Sequence, residues 1–175
     1  LLNHFGEQKW WPTISNSRFE IIVGAILTQN TNWKNVEKVI KALHDKKLLN
    51  EDAVRKIPQR ELAKLIKPSG YYNQKSRKLK EFVNSEWKNR EDLLKIWGIG
   101  KETADSILLY AYNKPHFVID AYTKRIMKRL GFKAESYDEL QELFHKNLQK
   151  DAKLYKEFHA LIVELGKRYC RNKPL

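Results

Sequence analysis

Asp120 closes the apolar run Phe117-Val118-Ile119 and is followed by Ala121-Tyr122-Thr123-Lys124-Arg125. A carboxylate at such a boundary readily fills a helix N-cap, and the same group at the edge of a cleft faces a substrate and steadies positive charge developing there. Twenty residues upstream stands Gly98-Ile99-Gly100, between the apolar segment Leu93-Leu94-Lys95-Ile96-Trp97 and Lys101-Glu102-Thr103-Ala104-Asp105. Two glycines leave no side chains in the way. The amides at the start of the following helix are then free to face a phosphate, directly or through a bound cation, helped by the helix dipole. Ile99 is expected to be buried between the two helices. Many tight helix-to-helix turns use the same pattern, so it does not by itself specify a phosphate.

The charge of the whole chain supplies the missing context. Lys and Arg number 34 against 21 Asp and Glu, a formal net charge of +13, and no single basic run accounts for it. Such a field belongs to a folded surface and concentrates polyanions around it, which favours nucleic acid or an anionic membrane as partner. No stretch of roughly 18 apolar residues is present, as a membrane span requires, and the N-terminal segment lacks the layout of a secretory signal. A soluble cytoplasmic protein without membrane association is the expectation. One cysteine, Cys170, excludes an internal disulfide and cannot by itself make a zinc site.

The elements that must position these groups read as helices. Apolar residues recur at helical spacing in Phe19-Ile22-Val23-Ile26-Leu27, Val36-Val39-Ile40-Leu43, Leu62-Leu65-Ile66, Ile107-Leu108-Tyr110-Ala111 and Leu140-Leu143-Phe144-Leu148. Ser136 followed by Glu139 predicts a capping box, and no alternating run suggests a sheet. Breaks at Pro12, Pro58, Pro68-Ser69-Gly70, Gly98-Ile99-Gly100, Asn113-Lys114-Pro115 and Gly131 cut the chain into about eight to ten helices. The predicted fold is all-α, in two helical lobes around a cleft. One lobe, 18–113, contains the hairpin at about 90–112; the other joins 1–17 to 114–175.

Taken together, Gly98-Ile99-Gly100 with Thr103-Ala104 and then Val118-Ile119-Asp120 resembles the helix-hairpin-helix and Gly/Pro-Asp signature of the endonuclease III-like (HhH-GPD) DNA glycosylases. Ala25-Ile26-Leu27-Thr28-Gln29-Asn30-Thr31 and Pro68-Ser69-Gly70-Tyr71-Tyr72-Asn73-Gln74-Lys75 resemble two further blocks of that family, so the likeness spans nearly the whole chain. The resemblance implies base excision repair on double-stranded DNA containing damaged bases, by a monomer. Asp120 matches the catalytic aspartate and Gln29 a residue that enters the gap left by a flipped base. Gly98, Ile99, Gly100 and Thr103 match the phosphate-binding hairpin. Members that also nick the backbone carry a lysine nucleophile two residues after the second glycine. Glu102 stands there, and Lys101 points about 100° away around a helix, which implies a monofunctional enzyme.

Trp10, Pro12 and Trp33 fall where bacterial 3-methyladenine DNA glycosylases of the endonuclease III type carry base-stacking residues. An N3-alkylated purine is cationic and suits an indole face. Trp97 is expected to pack, and Lys124, Arg125, Lys128 and Arg129 to offer phosphate contacts. The connection between Lys80 and Leu93 is shorter than in the family. Lys167-Arg168-Tyr169-Cys170 resembles the start of a C-terminal four-cysteine loop. Cys170 would be one ligand of a [4Fe-4S] cluster in a longer native chain truncated before that loop, and the chemistry itself requires no cofactor. Two other readings stay open: an endonuclease III-like glycosylase for oxidised pyrimidines or mismatched bases, and a non-catalytic helix-hairpin-helix protein that only grips DNA.

Overall fold

The structure, a computed structural model, describes residues 1–8, 10–134, 136–171 and 173. Among these residues every regular element is helical, and they group into two compact units, Thr13–Ile107 and Leu1–Pro12 with Leu108–Leu175. The described residues form eleven α-helices where sequence breaks suggested eight to ten. The difference lies in short pieces that periodicity cannot register, such as the four-residue α1, Leu2–Phe5.

Thr13–Ile107 holds α2 (Arg18–Leu27), α3 (Trp33–Asp45), α4 (Glu51–Lys56), α5 (Gln59–Leu65), a 3-10 turn at Lys67–Ser69, α6 (Tyr72–Asn84), α7 (Arg90–Lys95) and α8 (Lys101–Ser106). Their starts are written in the sequence: Ser17, Asn32, Asn50 and Asn89 each accept a hydrogen bond from the backbone three residues on. α2 is apolar nearly all round, and Ile22, Val23, Ile26 and Leu27 are fully buried between α3 and α6. Glu20 on the same helix is buried as well. Its carboxylate accepts from the backbone of Ile14 and Ser15 at 2.7 Å each and from the Ser15 hydroxyl, which fixes the entry of the chain into α2.

The other unit holds α1, α9 (Ala121–Arg129), α10 (Tyr137–Asn147) and α11 (Ala152–Arg168). Ser136 and Glu139 form the predicted capping box. The run Phe117-Val118-Ile119 is buried outside any helix and without a sheet to pair with, so its backbone must be satisfied by side chains. α10 supplies them: Gln141 donates to the Phe117 carbonyl at 2.7 Å, His145 Nε2 accepts from the Phe117 amide at 3.0 Å, and Tyr137 Oη accepts from Ile119. Phe117 stacks on Phe144 at 4.0 Å between ring centroids and meets the edge of Tyr155. Gly166 lets α9 approach α11, since a Cβ there would lie 2.4 Å from the Tyr122 ring. The rigid run and the close helix pair together fix where Asp120 sits.

Candidate active site

Asp120 is the N-cap of α9. Its Oδ1 accepts from the Thr123 amide at 2.7 Å and the Thr123 hydroxyl at 2.8 Å, while Oδ2 lies 3.7 Å from His159 Nε2 on α11. Burial by itself would raise the Asp120 pKa, but the facing His159 and the two Thr123 donors outweigh it and hold the carboxyl below its usual range. A buried carboxylate that stays ionised is a group able to stabilise a cation. Around it in the same unit, Trp10 lies 5.5 Å from Trp11, 5.8 Å from Tyr110 and 5.6 Å from His159, ring centroid to centroid, and Trp11 lies 5.0 Å from Tyr110. Lys167 Nζ stands 5.7 Å from the Trp10 ring. Of the residues singled out in sequence, Trp10 and Asp120 are thus drawn around the same His159, and Pro12 follows Trp11 on the exposed surface. Trp33 belongs to the other unit, where it opens α3 half-buried.

In that other unit the Gly-x-Gly turn joins α7 to α8, with Ile99 buried as expected. Arg90 at the start of α7 binds Asp105 of α8 in a two-point ion pair, at 2.6 and 2.9 Å, with the aspartate fully buried. Gln29 donates to the Thr103 hydroxyl at 2.7 Å and the Gly98 carbonyl at 3.3 Å, and Lys78 of α6 donates to its Oε1. The Gln29 amide is therefore engaged at the hairpin through both its nitrogen and its oxygen. Lys75 is buried one turn away on α6, donating to the carbonyls of Leu27 at 2.8 Å and Ser69 at 2.6 Å. Burial, then the Lys78 charge, lower its pKa to about 8. This lysine ties the end of α2, which carries Gln29, to the 3-10 turn.

Sequence reading missed Lys75, Lys78, Tyr110 and His159. The available signal was a polar residue on an otherwise apolar helical stripe, as at His159 among Tyr155, Ile162 and Val163. Trp97 does not pack inside: it is 43% exposed, with the Arg77 guanidinium 4.0 Å above its ring, because the tight turn carries it outward. Of the four cations after Asp120, Arg125 donates to the Cys170 carbonyl and the exposed Arg129 to Cys170 Sγ, just beyond α11, while Lys124 and Lys128 are likewise exposed. Cys170 is the sole cysteine, and among the described residues no group of three or more His, Cys, Asp or Glu is placed to hold a metal ion. An iron-sulfur cluster held by cysteines needs four thiolates, so the residues present do not fit one.

The two glycines of the turn have different causes. Gly98 has φ +81°, and a Cβ there would lie 2.6 to 2.8 Å from three carbons of the Lys78 side chain. Gly100 has φ −90° and open space where a Cβ would go. Gly98→Ala is therefore expected to destabilise the protein by about 1–3 kcal/mol. Gly100→Ala should change stability by less than about 0.5 kcal/mol, yet weaken duplex binding about tenfold, the worth of one phosphate hydrogen bond. Thermal denaturation and fluorescence anisotropy on a labelled duplex separate the two effects. Unchanged affinity in Gly100→Ala would mean that no phosphate approaches that amide.

An all-helical chain with a Gly-x-Gly hairpin and, downstream, a buried ionised aspartate defines a class, and the comparisons agree with it. The sequence matches the HhH-GPD superfamily of base excision DNA repair proteins over residues 23–150, and the chain belongs to that superfamily as a DNA glycosylase. It is 48% identical, over its whole length and 87% of the relative's, to MJ1434 of Methanocaldococcus jannaschii, a protein assigned to the DNA repair glycosylases. It is 31% identical to endonuclease III of Thermotoga maritima, over 90% of this chain and 77% of that protein. Among solved structures, H. pylori 3-methyladenine DNA glycosylase bound to 1,N6-ethenoadenine superposes with a TM-score of 0.83 at 35% identity, covering 91% of this chain and 88% of that one. A non-covalent endonuclease III–DNA complex, at 24% identity, shares the fold with a TM-score of 0.85 over 99% and 84% of the two chains.

Proposed function

We propose that this glycosylase is monofunctional and releases N3-alkylated purines from duplex DNA. The observation that carries the reading is Asp120, buried yet held ionised, in the unit where Trp10, Trp11 and Tyr110 cluster. An N3-alkylated purine is already cationic and leaves as a neutral base, taking the glycosidic electron pair with it. No strong general acid is needed. Asp120 stabilises the positive sugar left behind and orients the water whose oxygen bonds to C1′, and that water's proton leaves through the carboxylate to solvent. Trp10 is assigned to the base, because an indole face attracts a stacked cation more strongly than a neutral pyrimidine, and Pro12 to the same side of it. Gly98, Ile99, Gly100 and Thr103 are assigned to backbone phosphate and Gln29 to the vacated stack. No step in this scheme passes through a metal or other cofactor. The likeness to the H. pylori enzyme supports the substrate class.

The deciding experiment measures free base released from duplexes treated with a methylating agent, beside duplexes carrying uracil, thymine glycol or a mismatch. Methylated purine should be released fastest. Preference for thymine glycol or a mismatch would assign the protein to the oxidised-pyrimidine or mismatch enzymes instead, and duplex binding with no release would leave only the DNA grip.

Glu102 makes the mechanistic half of the proposal testable in the same reactions. It is exposed in the first turn of α8 at the position where strand-nicking relatives carry lysine. A Schiff base needs an unprotonated amine at the sugar C1′, so borohydride added during turnover should trap no covalent adduct, and strand breaks should appear only after alkali. Efficient trapping by the unaltered chain would reveal another amine and withdraw the monofunctional assignment.

A further inference from the structure

The second oxygen of Asp120 faces a group that the scheme above does not use. Oδ2 lies 3.7 Å from Nε2 of His159, with the two side chains 13% and 5% exposed, and Nε2 is buried without a hydrogen-bond partner among the described residues. At that distance the contact is electrostatic and longer than a direct hydrogen bond. The other ring nitrogen is firmly held: Nδ1 lies 2.6 Å from Tyr110 Oη, whereas the Lys156 carbonyl, which competes for the phenol proton, is 3.5 Å away. Burial, then the charges of Asp120 and Glu157, push the Tyr110 phenol well above its ordinary pKa, so it keeps its proton and stays a hydroxyl partner for Nδ1. With Nδ1 held by the Tyr110 hydroxyl, Nε2 is the ring nitrogen left to face Asp120.

We infer that His159, oriented by Tyr110, is a positioning residue that aims the Asp120 carboxylate at the reacting sugar. The inference rests on the assignment of Asp120 as the catalytic carboxylate. Thr123 anchors Oδ1 from within α9, and His159 directs Oδ2 from α11 across the close approach that Gly166 permits. The other charged groups facing this pair are Glu157 and Lys156 of α11, the latter with Nζ 5.9 Å from the Tyr110 ring, and Lys167, which faces it through Trp10. Without His159 facing Oδ2, burial acts on Asp120 with less opposition, and protonation of the carboxylate sets in at higher pH.

The test uses single-turnover release of methylated purines from methylated duplex across pH, with 13C-carboxyl NMR titration of Asp120 as a readout independent of substrate. His159→Phe should lower the rate by about tenfold or more, the scale of an outer partner that orients a reacting ligand, with duplex affinity unchanged. The acid limb of its pH–rate profile and the Asp120 titration should both move to higher pH. Tyr110→Phe should shift them in the same direction by less. His159→Gln, which retains an N–H donor, should restore much of the rate and bring the limb back toward the wild-type position. If His159→Phe does not fold, the other two variants decide. Wild-type rate, limb and titration in both Tyr110→Phe and the folded His159 variants overturn the inference while Asp120→Asn remains inactive. Full release by Asp120→Asn would instead overturn the assignment of Asp120 itself.

Discussion

Asp120→Asn should abolish base release, by on the order of 10³-fold or more, while leaving duplex affinity within severalfold of the wild type. Asparagine caps a helix about as well as aspartate, so Oδ1 can still accept from Thr123 and the start of α9 should survive. What disappears is the full negative charge at the reacting centre, which a neutral amide dipole cannot replace. The loss should therefore fall on the single-turnover rate and not on binding. The pH behaviour follows from the direction of the Asp120 shift. Its pKa in the folded protein lies below the ordinary value, so the stabilisation this group adds is present above the unfolded pKa and is lost as pH falls through the folded one. Wild-type activity should accordingly persist below the usual aspartate range. The asparagine variant should show neither that acid limb nor the matching loss of stability. Activity comparable to wild type would remove Asp120 from the chemistry.

The largest effect on stability is expected at the hairpin. Asp105→Ala removes the two-point carboxylate partner of Arg90 from a fully buried position while the guanidinium stays mostly buried. Breaking a buried pair from one side costs about 3–5 kcal/mol, which for a chain of this size lowers the melting temperature by roughly 10 °C. The double variant Arg90→Met, Asp105→Leu should recover a good part of that loss, because it removes the guanidinium together with the cost of burying both ions. Thermal denaturation of the three proteins measures the difference. A melting temperature for Asp105→Ala within 2–3 °C of wild type would show that the pair is not what holds the two hairpin helices together.

Helical class, the Ser136–Glu139 box, the buried Ile99 and the dual character of Asp120 as cap and carboxylate were legible in the chain. Each depends on residues within four positions of one another, where backbone geometry alone dictates the neighbours. The basic excess and the ordered motifs then pointed to DNA and to the family. What the sequence could not show are contacts whose partners lie far apart along it. His159 meets Asp120 across 39 positions and Tyr110 across 49, Lys75 caps the Leu27 carbonyl across 48, and Lys78 reaches Gln29 across 49. A histidine or lysine on an apolar stripe carries no mark of what it faces, because its partner is chosen by how helices pack. The two glycines of the hairpin show the same division within three residues. Their spacing announced a tight turn, but only packing shows that Lys78 and a positive φ demand glycine at 98, while at 100 the fold leaves the space open.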